Sequence, residues 1–587
     1  MNTSDYEEIG RECRFAIHIP TNSANDIDIH MVKEQISLKH KTTGEVIRKP
    51  NIRYIKNFER DVYITKPNYR NYKQKREYTE LENVYKLRTT QSNLRDTVAK
   101  ALGKAWSKDH YKKLAVSPYL YGTDISSTSL IKKMYMDKYP ELISPYSICY
   151  FDIETDVLFG TEEPISASAV MGDKVFLAVT NNFVLGINNV EEKIEKAAQK
   201  YIPEYLDKHK MTIEVYVAED TVDAIRKTMA KVHEWKPDIV AIWNMDFDIP
   251  RILETLEKYN VDPKDIFCDP SVPKHLRICK YKQGPKKLIT ASGKLKPIEP
   301  SEQWHSLTCT ASFFVLDAMC TYRIIRLAEP KLPSYSLDAI LSLKLGIRKL
   351  KFVEADGYEH LKWHQFMQKN YKIEYMVYNI FDCISMMELE DLTKDMSSTM
   401  PTFAVTTDFA NFKSQPKRIA DALHFYVLEL GHVMGTVGAT EETREDIDAD
   451  AIEVEEEEEE APQDGVVVEV KKESKVLSLK DWIITLPAAN CVLGMNCIEE
   501  DTNHLTSIRA FVYDSDSVSS YPTCTSIANV SKSTTKRELI RIEGIEEDIF
   551  RMQNLNLVLG KVNAIEYSVA MFNLPKPNKL LEMFLNK

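Results

Sequence analysis

The feature that most constrains the fold is an apolar segment that runs directly into two acidic residues. Residues 147–154 read SICYFDIE, and a short apolar run of this kind is typical of a strand buried in a sheet. Residues two apart on a strand face the same side, so Asp152 and Glu154 should point one way while Ile153 packs behind them. Two such carboxylates can hold hard cations such as Mg²⁺. A lone D-x-E triplet, however, also arises by chance in an acid-rich chain.

The segments around this strand predict a layered α/β structure. Further strands are indicated by KVFLAVT, TIEVYVA and DIVAIW, and residues 222–235 have the apolar spacing of a helix. This alternation runs to about Met400 and predicts a central sheet with helices. Residues 1 to about 140 instead mix short β-like runs with a helical stretch near residues 93–106. A chain of 587 residues is too long for one hydrophobic core, so several structural units are expected.

A second acidic element follows the strand DIVAIW. Residues 243–250 read WNMDFDIP, so their polar side chains should lie in a loop at the C-terminal end of a strand, where ligands bind in open α/β sheets. Asp248 would then directly precede a helix that has Pro250 at its favoured first position. The alternative is that Asp248 or Asp246 serves only as a helix cap.

A third element lies on a predicted helix. KIEYMVYNIFDCISMMELEDL has helical apolar spacing, and Tyr378 and Asp382 are four residues apart, so they share one face. Asp382 could bind a metal ion there, while Tyr378 could orient the water that attacks a phosphodiester. Taken alone, the Y-x-x-x-D pattern usually means a surface pair.

Taken in this order, the three elements form a pattern far more specific than any one of them. FDIET, WNMDFD and YNIFD resemble the three exonuclease motifs of family B DNA polymerases, in particular those of large tailed bacteriophages, and PSYSLD at residues 333–338 also matches. The resemblance covers about residues 140 to 425. It implies an α/β, ribonuclease H-like fold that removes nucleotides 3′→5′ from a mispaired primer end. The catalytic residues that it implies are Asp152, Glu154, Asp248, Tyr378 and Asp382.

The resemblance also implies a metal cofactor. Two Mg²⁺ or Mn²⁺ ions, about 3.5–4 Å apart, would bind the scissile phosphate. Asp152 would bridge both ions, Glu154 and Asp382 would help to hold the ion that carries the attacking water, and Asp248 would hold the second ion.

The second motif departs from the family pattern in its length. Two residues rather than three separate Asn244 from the Phe247-Asp248 pair, so the turn is one residue shorter. Asp248 remains the expected metal ligand, although Asp246 could partly substitute for it. Asn244 and Phe247 are expected to contact the DNA strand, Asn244 in a different manner from the family pattern.

The charge is distributed very unevenly along the chain. The formal net charge is -12. Residues 441–460 alone carry roughly -12, so the rest of the chain is close to neutral. Residues 33–113 carry roughly +12 and interleave Lys and Arg with Tyr, as in TKPNYRNYKQKREY, a composition suited to phosphate contacts and base stacking. A solvated basic face explains the same composition equally well.

A fourth motif lies near the C-terminal end of the sequence. Residues 511–522 read FVYDSDSVSSYP and resemble the first palm motif of the family, D-x-x-S-L-Y-P, with Ser520 in place of leucine. The resemblance implies that Asp516 binds the metal ions of an incoming nucleotide and that Ser519 and Tyr521 help to bind that nucleotide. The alternative is a strand that ends in a Ser/Asp turn. No D-T-D triplet or fingers lysine motif follows, so we do not expect this chain alone to extend DNA.

These observations predict a fragment or subunit of a replicative polymerase. The expected parts are a basic N-terminal domain that contacts nucleic acid (1–140), a 3′–5′ exonuclease domain (141–425), an acidic insertion or linker (426–475) and the beginning of an α+β palm (476–587). The expected partners are DNA, a second polymerase chain that supplies fingers, thumb and the remaining palm, and a sliding clamp with other replisome proteins. The chain would then be either one half of a split polymerase, which we favour, or a truncated product. A stand-alone 3′–5′ exonuclease and a non-catalytic DNA-binding replication subunit remain alternatives.

The composition also indicates where in the cell the protein is located. The sequence has no long apolar run, no apolar region of a secretory signal near its acidic N-terminus, and ten scattered cysteines without a C-x-x-C pair. These features indicate a protein that is neither secreted nor in a membrane, and the resemblance to bacteriophage enzymes implies a viral replication protein in the cytoplasm of an infected bacterial host.

Overall fold

The computed structural model describes the N-terminal and central parts of the chain. The described residues are 5–19, 27–72, 76, 78–103, 117–123, 125–142, 144–289, 295–327, 329–399 and 424–435. The acidic residues 441–460 and the predicted palm residues Asp516, Ser519 and Tyr521 lie outside the described residues.

The N-terminal part consists mainly of antiparallel strands. β1 pairs with β2 and β2 with β3, while β4 pairs with β6 and β7. The bounds are β1 Tyr6–Ile19, β2 Ile29–His40, β3 Val46–Lys56, β4 Glu59–Thr65, β5 Tyr78–Glu80, β6 Val84–Thr90 and β7 Leu120–Tyr121. The short strand β5 pairs with the segment His432–Met434, which is therefore a strand where the sequence predicted the start of a linker.

A mixed eight-stranded sheet dominates the described part of the chain. Its strands are β8 Ile148–Thr155, β9 Pro164–Met171, β10 Lys174–Thr180, β11 Thr212–Ala218, β12 Ile239–Ile242, β13 Cys279–Lys282, β16 Ser306–Cys309 and β17 Phe314–Asp317. They lie in the order β11-β10-β9-β8-β12-β17-β16-β13. A separate hairpin joins β14 Lys287–Ile289 to β15 Leu295–Pro297, and His432–Met434 is β18. β8 runs parallel to β12, so the carboxyl ends of both strands reach the same edge of the sheet.

Helices cover both faces of this sheet, which gives the α/β architecture expected from the sequence. Their bounds are α1 Leu94–Ala101, α2 Ser127–Lys138, α3 Val190–Tyr201, α4 Pro203–His209, α5 Thr221–Trp235, α6 Met245–Lys258, α7 Lys264–Phe267, α8 Pro300–Gln303, α9 Ala318–Ile325, α10 Leu337–Lys344, α11 Leu361–Asn370 and α12 Lys372–Thr393. Short 3₁₀ turns occur at Pro67–Tyr69, Leu81–Asn83, Lys274–Leu276 and Val353–Ala355, and a π-helical turn at Asp395–Thr399. None of the helices in the described ranges is long and apolar enough to cross a membrane.

The alternation of side chains along β8 divides the hydrophobic core in two. Ile148 and Tyr150 pack in the cluster that contains α12, whereas Phe151 and Ile153 pack in the cluster that contains α5 and α6. Because the period of a strand is two residues, Asp152 and Glu154 share the α12 face with Tyr150. The burial of Ile153 on the opposite face therefore decides which way both carboxylates point.

A buried ion cluster joins the N-terminal strands to the large sheet. Asp238, at the start of β12, lies 2.7 Å from the Lys33 ammonium and 3.2 Å from the Arg14 guanidinium. It also accepts hydrogen bonds from the backbone N–H and the hydroxyl of Ser147, directly before β8. These two cations hold the pKa of Asp238 at about 2 even though burial alone would raise it. Lys33 is therefore part of the core and is not available to bind DNA.

Tyr72 of the basic N-terminal segment also has a structural role. The Tyr72 hydroxyl lies 3.1 Å from that of Tyr121, and the Tyr119 hydroxyl donates to the Tyr72 carbonyl. The Arg76 guanidinium stacks 4.1 Å above the Tyr72 ring. The tyrosine and arginine content that suggested nucleic-acid binding is thus explained in part by local packing.

Helix α6 begins earlier than the sequence suggested. The expected start was at Pro250, yet the helix begins at Met245 and Pro250 lies inside it. Met245, Ile249 and Ile252 are all fully buried beneath the sheet. Packing of this apolar face outweighs the backbone hydrogen bond that the proline removes. As a result Asp248 lies within the first turns of the helix rather than before it.

Candidate active site

Two carboxylates of β8 are held by the helix that packs over them. The Asp152 carboxylate accepts a hydrogen bond of 2.7 Å from the Asn379 amide, and the Glu154 carboxylate accepts a short one from the Tyr375 hydroxyl. Asn379 and Tyr375 lie on α12, one turn apart. β8 and α12 together therefore orient both acids.

Asp382 completes a group of three carboxylates. Its side chain projects from α12, and one oxygen each of Asp152, Glu154 and Asp382 lie within 4.8 Å of one another. The Oδ1 atom of Asp382 is buried and has no hydrogen-bond partner among the described residues. A buried acceptor without a donor, next to two further carboxylates, fits a divalent cation bound by oxygen ligands.

Asp248 faces the same group from α6, whereas Asp246 does not. Asp248 is 3% exposed, and the charge of Asp152 is one of the causes that raise its pKa well above the usual range, after burial itself. Asp246 instead bonds to Gln283 and lies 3.5 Å from His305. The geometry thus separates the two acids of the second motif and favours Asp248 as the ligand.

Lys349 supplies positive charge to the carboxylates, and no motif of the sequence indicates this role. Its ammonium lies 2.6 Å from Asp382 Oδ2 and donates to the Tyr378 hydroxyl at 3.1 Å. Burial would lower the pKa of Lys349, but Asp382, Tyr378 and Asp152 raise it well above the usual value. In the sequence Lys349 is one of three basic residues in RKLK, and only the folded chain distinguishes it from its exposed neighbour Lys351.

The protonation of Tyr378 follows from the same surroundings. Burial and the Asp382 charge raise the pKa of Tyr378 far above its ordinary value. The phenol therefore stays protonated at neutral pH. It can orient a water or a phosphate oxygen by hydrogen bonding, but it cannot accept the proton of the attacking water.

The site as a whole carries more negative than positive charge when its acids are ionised. Asp152, Glu154 and Asp248 all have raised pKa values, caused first by burial and then by the neighbouring carboxylates. Burial and the Asp382 charge raise the pKa of Glu154 to about 8. In the described part of the chain, Lys349 is the one lysine or arginine that forms an ion pair with the acids of this site, and its partner is Asp382. Divalent cations would supply the missing charge and allow all the acids to ionise.

The raised pKa of Glu154 predicts how the stability of the metal-free protein depends on pH. The folded protein keeps a proton up to about pH 8 that the unfolded chain loses near pH 4.5. The free energy of unfolding should therefore fall as the pH rises through this window. We expect the Tm in chelator to decrease from about pH 5 to about pH 8, and Mg²⁺ to raise the Tm more at the upper end.

The control for this prediction is Glu154→Gln, which cannot lose a proton. This variant should show a flatter decrease of the Tm in chelator than the wild type. If the two proteins show the same pH dependence, the assigned environment of Glu154 is wrong.

The carboxylates lie in a cleft of about 1030 Å³. Asn244 and Phe247 line it on one side, and residues 333–338, the PSYSLD stretch, line it on another. Phe247 is 43% exposed. Val157 also lines the cleft, and two residues further on Phe159 is 82% exposed. The cleft is open and has the exposed ring of Phe247 in its wall, so it can accept an extended chain whose bases stack.

The predicted exonuclease residues all lie in one cleft. Asp152, Glu154, Asp248, Tyr378 and Asp382 come from three separate segments and all line this one cleft, as do Asn244 and Phe247. Lys349, Tyr375 and Asn379 contact the acids and were not predicted as site residues.

The middle of the chain matches a known protein family. Residues 115–340 match the model of the DNA polymerase family B exonuclease domain. This range includes Asp152, Glu154 and Asp248 and ends before Tyr378 and Asp382. A search of curated proteins finds no match. The family match and the acidic cleft together support a family B DNA polymerase exonuclease domain in this part of the chain.

Proposed function

We propose that this chain is a metal-dependent 3′–5′ exonuclease that proofreads for a replicative family B DNA polymerase, with a ribonuclease H-like catalytic domain. The observation that carries the proposal is the convergence of Asp152, Glu154, Asp248 and Asp382 in one open cleft. The match of residues 115–340 to the family B exonuclease domain supports the same activity.

The acids would hold the cofactor. Asp152, Glu154 and Asp382 form the binding group, and Asp248 adds a fourth carboxylate from α6. A bound divalent cation supplies a Lewis acid that polarises the phosphate and lowers the pKa of a bound water. Carboxylate oxygens favour Mg²⁺ or Mn²⁺ over softer metals.

The other residues of the cleft would act on the DNA and on the water. Tyr378 donates a hydrogen bond that orients the water or a phosphate oxygen. The Lys349 ammonium, next to both Tyr378 and Asp382, offsets the negative charge that develops on the phosphate. Asn244 and Phe247 would contact the terminal nucleotides of the strand, Phe247 by stacking.

The polymerase part of the proposal rests on the sequence. Asp516, Ser519 and Tyr521 would form the beginning of a palm, and a second chain would supply the fingers, the thumb and the rest of the palm. Contact with single-stranded DNA by the N-terminal part, and with a sliding clamp, belongs to the same proposal.

Nucleotide release from end-labelled DNA tests the activity. A single-stranded oligonucleotide with a 3′ label should lose labelled mononucleotide in Mg²⁺ or Mn²⁺ and not in chelator. The same strand with a 5′ label should shorten stepwise from its 3′ end. Circular single-stranded DNA should stay intact, which excludes an endonuclease. The proposal fails if no nucleotide is released with either metal.

Loss of the Lys349 charge should slow this reaction without unfolding the protein. We expect Lys349→Met to lower kcat by about 10²–10³-fold, because a preorganised charge beside the reacting phosphate is removed. The matched control is Lys351→Met, two residues away and exposed, which should leave kcat unchanged. Equal kcat values for the two variants would contradict the role of Lys349.

A further inference from the structure

Helix α11 borders the cleft and contacts the Glu154 site through one hydroxyl. His364 and Gln368 lie one turn apart on α11, and both reach the Tyr375 hydroxyl on α12. The His364 Nδ1 atom is 2.8 Å from that oxygen and the Gln368 Nε2 atom is 3.3 Å from it. The same hydroxyl makes the short hydrogen bond to Glu154.

A count of protons determines the direction of these hydrogen bonds. When Glu154 is ionised it can only accept, so the single proton of the Tyr375 hydroxyl goes to Glu154. The Tyr375 oxygen must then accept from both α11 residues. The Gln368 amide can donate, and His364 must carry its proton on Nδ1. This arrangement defines one tautomer of His364 and one orientation of the Gln368 amide.

Gln368 also holds the backbone that follows Glu154. Its Nε2 donates to the Thr155 carbonyl at 2.7 Å, and its Oε1 accepts from the backbone N–H groups of Val157 and Leu158, each at 3.1 Å. The side chain is fully buried. The segment that it holds leads directly to the exposed ring of Phe159.

A structural role in core packing alone would not require this pattern. Glu154 is an acid that metal binding needs in one orientation. The Tyr375 hydroxyl bonds to Glu154, and Gln368 bonds both to that hydroxyl and to the backbone directly after Glu154. Carboxylates that ligate metals are commonly oriented by hydrogen bonds from such outer partners, and loss of a partner lowers metal affinity.

We propose that His364 and Gln368 are positioning residues that hold Glu154, through Tyr375, in its metal-binding orientation and connect it rigidly to the loop 155–159 at the mouth of the cleft. This inference rests on the proposed exonuclease function, which it deepens. Thr155 and Val157 of this segment line the cleft, so part of the cleft wall and Glu154 are positioned by the same helix.

Metal binding provides a test that does not depend on catalysis. Binding of Mn²⁺ to the full-length chain, measured by electron paramagnetic resonance, should weaken by about 10–100-fold in Tyr375→Phe. His364→Leu should weaken it as well, whereas His364→Asn, which keeps a nitrogen donor near the Nδ1 position, should bind Mn²⁺ nearly as tightly as wild type. The control Tyr358→Phe removes the same atom from a half-exposed tyrosine near α11 and should change nothing.

The kinetics should separate positioning from simple destabilisation. In Tyr375→Phe we expect kcat to fall at low Mn²⁺ and to recover at high Mn²⁺, with the KM for single-stranded DNA unchanged. Gln368→Met should lower the metal affinity and also raise this KM, because the loop 155–159 is released. A variant that is merely unfolded would lose its circular dichroism signal and would not be rescued by Mn²⁺.

The possible failures are distinguishable. If the wild type binds Mn²⁺ but releases no nucleotide, the proposed function is wrong while the binding comparison still decides the role of α11. If folded Tyr375→Phe and His364→Leu bind Mn²⁺ as tightly as wild type, the positioning role is overturned even when the exonuclease is active. Loss of binding in His364→Asn to the same extent as in His364→Leu would overturn the role of the Nδ1 proton.

Discussion

Replacement of Asp152 by alanine should abolish the release of nucleotides from single-stranded DNA and leave the protein folded. Asp152 is the acid whose charge raises the pKa of Asp248, and it lies in one group with Glu154 and Asp382. The Asp152→Ala change removes one expected metal ligand from the site that β8, α6 and α12 form. We expect kcat/KM to fall by at least about 10³-fold, because a bound metal contributes several kcal/mol to the stabilisation of the transition state.

The fold should tolerate this change well. Burial and the neighbouring acids raise the pKa of Asp152 well above its usual value, so its ionised form is a cost to the metal-free protein. The Tm of Asp152→Ala in chelator should therefore be no lower than that of the wild type, and Mg²⁺ should raise it less. Nucleotide release and Tm are measured on the same preparation.

Asp246→Ala is the matched control for the acids of the cleft. Asp246 is two residues from Asp248 but points to Gln283 and His305 instead of the acids. Asp246→Ala should keep most of the nuclease activity, whereas Asp248→Ala should lose it. Full activity in Asp152→Ala, or an equal loss in Asp246→Ala and Asp248→Ala, would contradict the assigned site.

The second large effect is expected on stability rather than on catalysis. Asp238→Ala leaves the buried ammonium of Lys33 and the guanidinium of Arg14 without their shared carboxylate. Breaking a buried pair by removal of one partner costs about 3–5 kcal/mol. We therefore expect the free energy of unfolding in urea to decrease by about that amount.

Two further variants show whether this loss comes from the buried charges. Lys33→Met combined with Asp238→Ala should cost less than the sum of the single changes, because the double variant buries one unpaired charge fewer. The surface pair of Glu192 with Lys196 is a comparison, since both side chains are largely exposed and Glu192→Ala should cause no measurable change. Additive effects of Lys33→Met and Asp238→Ala would show that the pair is not coupled.

Local periodicity predicted the parts of the site that lie within one element. The alternation of SICYFDIE determined that Asp152 and Glu154 would share a face, and the four-residue spacing of Tyr378 and Asp382 determined the same for α12. The apolar run DIVAIW likewise indicated a strand next to the second motif. For the two pairs of residues, the period of a strand or of a helix is sufficient to predict that both side chains lie on the same face.

The remaining contacts depend on segments that the sequence does not relate to each other. Lys349 reaches Asp382 across 33 residues, and Gln368 reaches Thr155 across 213. No spacing rule connects such pairs. Lys33 was counted with a basic surface because nothing local shows that it is buried against Asp238. The local preference for proline in a first turn predicts a start of α6 at Pro250, but packing of the buried face that includes Met245 makes the helix begin earlier.

The buried cluster at Asp238 has a consequence for how the chain can be divided. A shortened chain that begins near residue 141, where the sequence suggests a domain boundary, would retain Asp238 but lose both Arg14 and Lys33. Its carboxylate would then lose both ion pairs and keep only the Ser147 hydrogen bonds, and the apolar surface beneath β1 and β2 would be uncovered. Studies of the nuclease by itself are therefore better done on a chain that keeps the N-terminal strands.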